Sequence, residues 1–181
     1  MLSIPRRRIF TPAGPPRPDR IRILTLTNLY RKTGHLIRRA QQIAVALFMQ
    51  ECAGFDLTPV QYAALAAIRE YPGIDATRLA GEIAFDRPTI GGVLERLEAK
   101  VLIVRTATPE DKRVKLLRLT TEGQRLLKRA EPAVESAQDR ILDKLSARER
   151  AQLMALLTKL VDLNNAASRA PLRKLNTAKS A

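Results

Sequence analysis

The side chains best placed to do chemistry lie between residues 86 and 113. They form the run Asp86-Arg87-Pro88-Thr89-Ile90-Gly91-Gly92-Val93-Leu94-Glu95-Arg96-Leu97, followed by Arg105 and by Asp111-Lys112-Arg113. Their chemistry is charge and hydrogen bonding, not bond making. A guanidinium pairs bidentately with phosphate oxygens or with the acceptor edge of a guanine, and a threonine hydroxyl bonds to either kind of target. Two adjacent glycines leave a bare helix edge. Each costs about 1 kcal/mol relative to alanine inside a helix, so the pair needs a reason: close approach of a DNA backbone, or relief of crowding against the preceding helix.

The rest of the composition agrees with polyanion binding. Lys and Arg number 32 against 18 Asp and Glu, a formal charge of +14 over 181 residues. Such a surface suits nucleic acid, an anionic membrane or an acidic protein, and charge alone does not choose among them. With 45% apolar residues the chain can bury a core, and its length fits one domain or two small lobes. No stretch approaches the ~18 apolar residues of a membrane span. The basic start Arg6-Arg7-Arg8 lacks the apolar segment of a signal peptide, so the expected compartment is the cytoplasm and no membrane partner is expected. A single cysteine, Cys52, and a single histidine, His35, exclude an internal disulfide and a zinc site of several Cys/His ligands. No metal or cofactor is expected. There is no phosphate-binding glycine loop, no nucleophile elbow and no arrangement of base, nucleophile and oxyanion donors, so the chain does not read as an enzyme.

The elements that must position residues 86–113 are mostly helical. Apolar residues at 36, 37, 40, 43, 44, 47 and 48 follow a 3.6-residue period and predict one long helix over about 22–50, closed near Gly54. Thr58-Pro59-Val60-Gln61 combines a capping box with proline at the first helical position, and Pro72-Gly73 ends the helix it starts. Asp75 caps a short helix over about 76–84. Asp86 with Pro88 starts the next, reaching about Ala99 with Ile90, Val93, Leu94 and Leu97 inward. Arg87, Pro88, Thr89, Gly91, Gly92 and Arg96 then face outward. Residues 102–105 and 114–119 are β-rich and predict a hairpin whose tip holds Asp111, Lys112 and Arg113, with Arg105 at its base. A cap at Thr120 or Thr121 opens a helix to about Leu145, with a kink at Pro132. Ser146-Ala-Arg-Glu149 opens a last amphipathic helix carrying Leu153, Leu156, Leu157, Leu160 and Leu163.

Two helices in close succession, the second presenting its N-terminal residues, are the requirement of a helix-turn-helix, and a basic hairpin behind them makes a wing. The fold class is therefore mainly α with a small β-hairpin wing: a winged helix-turn-helix lobe over 55–120 and a helical dimerisation region over 21–53 and 121–167. Residues 1–20, with five prolines and five arginines, and 168–181, with no acid, read as flexible basic arms. The outer helices carry more apolar surface than one winged lobe can cover, which predicts a homodimer. A two-fold dimer would set two recognition helices about 34 Å apart and suit a palindromic operator in double-stranded DNA.

Leu57-Thr58-Pro59, Leu79-Ala80, Asp86-Arg87-Pro88-Thr89, Leu94-Glu95-Arg96-Leu97-Glu98, Asp111-Lys112-Arg113 and Leu119-Thr120-Thr121-Glu122-Gly123, in this order, resemble the MarR family of winged-helix transcriptional regulators over roughly residues 25–165. The resemblance implies a homodimer on a two-half-site operator, with repression relieved by a small effector. It implies that Arg113 is a minor-groove arginine with Asp111 as its partner, and that Pro88, Thr89, Gly91 and Gly92 form the major-groove edge. Two positions depart from the pattern: Gly92 stands where a longer polar residue is common, and Val101 where a glycine commonly precedes the first wing strand.

His35, Arg38, Arg39 and Gln42 form a polar stripe at i, i+3, i+4 and i+7, with Gln61 and Tyr62 opening the next helix. The stripe is either a solvated face or a clamp for an anionic aromatic ligand, arginine gripping the carboxylate while Tyr and His supply rings. The resemblance favours a small aromatic acid effector, and the segment His35–Phe48 is similar to members controlling aromatic acid catabolism, nicotinate breakdown included. Two alternatives stand beside this reading: a sequence-tolerant architectural DNA-binding protein, and a redox-responsive repressor using Cys52. Glu51 and Asp56 disfavour a thiolate at Cys52.

Overall fold

The computed structural model describes residues 26–107 and 114–175, and the chain divides into two compact units, 1–37 and 38–181. In the first unit, helix α1 (Leu26–Tyr30) ends with the Lys32 amide donating to the Leu29 carbonyl at 3.0 Å. Helix α2 (Thr33–Glu51) follows, and its residues from Arg38 onward belong to the second unit. The single helix expected over 22–50 is thus interrupted at Arg31 and Lys32. Thr33 is β-branched and Gly34 is a poor helix former, so little local preference opposes the break.

The second unit is built on α3 (Pro59–Glu70), α4 (Ala76–Glu82), α5 (Arg87–Ala99), α6 (Thr121–Leu142) and α7 (Ala147–Leu163), with strands β1 (Ile74–Asp75), β2 (Ile103–Ala107) and β3 (Lys115–Leu119). Local chemistry sets most starts. Thr58 and Gln61 form the expected capping box on α3, and Ser146 and Glu149 the one on α7. Asp75, Asp86 and Thr120 cap α4, α5 and α6 through their side-chain oxygens.

The sheet is antiparallel with β3 in the middle, Ile74 opposite Leu117 on one side and Ile103 opposite Leu119 on the other. The hairpin of β2 and β3 was expected; β1 was not. One core fills the space between α3, α4, α5, α6 and this sheet, with Leu65, Ile68, Leu79, Ile90, Leu94, Leu97, Ile103, Leu117 and Leu127 all nearly inaccessible. Each such side chain stabilises the lobe by about 1.5–3 kcal/mol. A second, smaller cluster joins Phe48 and Cys52 at the end of α2 to Val134 and Ala137 of α6. Leu127, Ala130, Val134 and Ala137 lie on one stripe of α6, so that helix serves both cores. Pro132 sits inside α6 without ending it.

The junction of lobe and wing is tight. The Thr120 hydroxyl donates to the Val101 carbonyl at 2.7 Å and accepts from the Gly123 amide at 2.9 Å. A Cβ added to Gly123 would stand 2.1 Å from the Leu102 carbonyl oxygen, so only glycine fits. By contrast α7 contains no buried residue. Met154, Leu156, Leu157, Leu160, Val161 and Leu163 are all exposed, as are Ile43 and Met49 of α2.

Candidate nucleic-acid interface

The recognition edge begins with Asp86. Its Oδ1 accepts from the Thr89 amide at 3.0 Å and from the Thr89 hydroxyl at 2.9 Å, while Oδ2 pairs with Arg169 Nη2 at 3.0 Å. These bonds, those from Thr89 foremost, hold the Asp86 carboxyl below its ordinary pKa. The Thr89 proton is thereby committed, leaving its oxygen to an incoming partner only as an acceptor. Arg87, Pro88 and Thr89 occupy the first turn of α5 and are exposed, while Ile90, Val93, Leu94 and Leu97 turn the opposite face into the core.

The surroundings of Gly91 and Gly92 bear on one of the two explanations left open by sequence. Among the described residues, a Cβ on Gly91 would meet no atom within 4 Å, and one on Gly92 would meet only the flexible Arg96 guanidinium at 3.5 Å. Crowding inside the chain therefore does not explain them.

Other expected contacts are placed differently. Arg105 is three-quarters buried with Nε 2.9 Å from Glu98 Oε2, so it ties β2 to the end of α5 instead of projecting outward. Arg96 is exposed beside Gly92. Asp111, Lys112 and Arg113 lie outside the described residues, as do the arm 1–20 and residues 176–181 of the tail. Sequence reasoning missed Arg78 and Lys115, which with Asp75, Thr77, Arg87 and Val114 line a basic cleft of about 410 Å³ beside the first turn of α5. The Asp75 cap was legible, and one helical turn beyond it already placed Arg78 on this side.

Val101 has φ 55°. Its amide donates to Glu98 O at 2.8 Å and the Leu102 amide to Leu97 O at 2.9 Å, closing α5 with a Schellman motif. The left-handed residue of that motif is normally glycine, so valine here holds a backbone conformation that favours glycine. Ala84 (φ 54°) ends α4 in the same way, with Phe85 N to Ala80 O at 2.9 Å.

The residues expected to hold an effector are only partly assembled. Arg38 Nη1 donates to Gln42 Oε1 at 3.0 Å on the exposed face of α2, and Arg39 is exposed beside them. Gln61 is buried, and its Oε1 accepts from the Thr58 amide at 2.9 Å, so its carbonyl serves as a cap. Tyr62 is half-buried and meets Phe48 edge-on at 6.2 Å; burial raises its phenol pKa. In the first unit His35 lies 5.7 Å from the Tyr30 ring. Cys52 is buried, and burial, then the Glu51 charge, pushes its thiol pKa up. That is the reverse of what a redox-sensing thiolate needs.

A helix-turn-helix with a glycine-bared recognition edge, backed by a three-stranded wing, defines a DNA-binding lobe of the winged-helix class. The MarR family model matches residues 57–115. The transcriptional repressor NicR of Pseudomonas putida is 33% identical over 131 residues, which cover 72% of this chain and 83% of that protein. Among solved structures, Bordetella bronchiseptica BpsR, described in terms of regulation of its DNA binding by 6-hydroxynicotinic acid, is 33% identical with TM-score 0.69, covering 74% of this chain and 95% of that one. The repressor CouR bound to a 23-mer DNA duplex is 31% identical with TM-score 0.69, covering 76% and 98%. The chain belongs to the MarR family; it is a transcriptional regulator and not an enzyme. Among the described residues no helix is long and apolar enough to cross a membrane.

Proposed function

We propose that the protein is a cytoplasmic, dimeric repressor that holds a palindromic operator and releases it on binding a small aromatic carboxylic acid, a hydroxylated nicotinate being the first candidate. The observation that carries the DNA half is the Gly91–Gly92 edge, open on a helix whose other face is buried. Arg87, Pro88, Thr89 and Arg96 flank that edge as base or phosphate contacts, and the family resemblance adds Asp111, Lys112 and Arg113 as the wing's contribution. The exposed apolar residues of α7 support the dimer. Similarity along most of the chain to NicR and to BpsR supports the effector class.

In this reading Arg38 and Arg39 clamp the carboxylate and Tyr62 supplies an aromatic wall. Gln42 reorients its amide when Arg38 turns to the ligand, and Gln61 acts indirectly by fixing the start of α3. Footprinting upstream of the gene and its neighbours should show a symmetric protected site, and 6-hydroxynicotinate or a related aromatic acid should release it. Equal affinity for unrelated fragments would favour a sequence-tolerant architectural protein. A symmetric footprint unmoved by a panel of aromatic acids would remove the effector.

A further inference from the structure

The chain beyond α7 does not leave the lobe. Asn165 accepts from the Leu172 amide through Oδ1 at 2.8 Å and donates from Nδ2 to the Leu172 carbonyl at 3.0 Å, latching residues 165–172 into a closed loop. From there the Arg173 amide donates to the Gly81 carbonyl at 2.8 Å and the Leu175 amide to Glu82 Oε2 at 2.6 Å. Leu175 packs on the lobe core, and Arg173 Cβ lies 3.2 Å from where a Cβ on Gly81 would stand. The Gly81 carbonyl, which already accepts from the Ala84 amide at 3.3 Å, takes this segment as a second donor at the end of α4, at the turn that leads into the recognition helix. The described part of the expected flexible tail is therefore held against that turn.

One charge stands out on it. Arg169 is 87% exposed, yet one of its guanidinium nitrogens sits on Asp86, the cap of α5. An acid at the mouth of a recognition helix repels the phosphates on either side of the groove. Arg169 cancels that charge with one nitrogen and presents its remaining donors to solvent at the same end of the helix. The N-terminal residues of a recognition helix enter the major groove, and phosphate contacts next to them fix its register.

We infer that residues 165–175 form a strap that is a DNA-contacting element in addition to the recognition helix and the wing: it pins the α4–α5 turn and sets Arg169 on an operator phosphate. The inference rests on operator binding by this chain, which the parent protein tests by itself on the footprinted fragment. The salt dependence of affinity is then compared between variants. Arg169→Ala is expected to weaken binding about three- to tenfold and to make the slope of log K against log salt shallower by about 1, the signature of one lost phosphate contact. Arg169→Lys should keep the slope. Lys144→Ala, which removes the same charge from the exposed loop between α6 and α7, should leave it unchanged. Asn165→Ala keeps every charge but opens the latch, and it should also weaken binding. If Arg169→Ala matches Lys144→Ala, or lowers thermal stability without changing the slope, the strap is structural only and the inference fails. If Asn165→Ala binds like the parent, the docked position is not what matters, and the inference fails in that way too.

Discussion

The winged lobe and α7 both rely on leucine for their apolar faces but reach opposite ends. In the lobe, helices and sheet converge, so that Leu65, Leu79, Leu97 and Leu127 are fully buried. In α7, Leu156, Leu157, Leu160 and Leu163 lie on a well-capped helix and all remain exposed. The lobe is therefore complete within one chain, whereas the outer helix is a folded surface without an inside. Contiguous apolar patches of this kind mark contact sites. The lobe supplies the device that touches DNA, and the outer helix supplies the need for a second copy.

Breaking this division should give the largest effect on α7. The double substitution Leu157→Glu/Leu160→Glu should turn dimer into monomer in sedimentation and lower operator affinity about 100-fold or more, because the second half-site no longer binds at high local concentration. Circular dichroism should still show a folded lobe. Unfolding of the lobe together with loss of the dimer would show that the two regions are not separable.

The glycines sharpen the contrast inside the lobe. Gly123→Ala drives a Cβ into the Leu102 carbonyl and should cost about 3 kcal/mol in chemical denaturation. Gly91→Ala should do the reverse, raising stability by about 1 kcal/mol through helix propensity while weakening operator binding about tenfold, or about 1.4 kcal/mol. A Gly91→Ala protein that bound as well as the parent would mean that no DNA backbone comes close there. Val101→Gly relieves a β-branched residue at φ 55° that is largely exposed. It should stabilise by about 1 kcal/mol with DNA binding unchanged.

The smallest expected effect is on acid stability. Arg140 first, then Ser136, lower the Glu51 carboxyl below its ordinary value where α2 meets α6. A depressed folded-state pKa contributes stability that is fully present above the unfolded pKa near 4.5 and is lost as pH falls through the folded value. Glu51→Gln should therefore flatten the acid limb of a stability–pH curve and leave its neutral plateau nearly level.

Sequence carried the parts set by neighbours along the chain. Thr58 with Gln61, Asp75, Asp86, and Ser146 with Glu149 cap helices through bonds spanning two or three residues, so four starts were legible. The two-residue β1 was not, because Ile74 and Asp75 become a strand only through Leu117 and Leu116, more than forty residues away. The same distance hid the strap: Arg169, Pro171, Arg173 and Lys174 read as a basic tail until Gly81, Glu82 and Asp86 are placed beside it. Arg105 looked like a contact for a different reason: its Glu98 partner is near in sequence but meets it only because the turn between α5 and β2 brings the two together. The glycine pair was legible as unusual from sequence, and the empty space beside Gly91 sets aside crowding among the described residues as its cause.

The most direct test of this division counts protomers on DNA. Sedimentation equilibrium of the parent chain with a duplex holding two half-sites one helical turn apart should give two protomers per duplex. The Leu157→Glu/Leu160→Glu chain should remain monomeric and unbound at concentrations that saturate the parent. A parent complex of one protomer per duplex, held as tightly by the α7 variant, would contradict the claim that the lobe acts only through a paired frame.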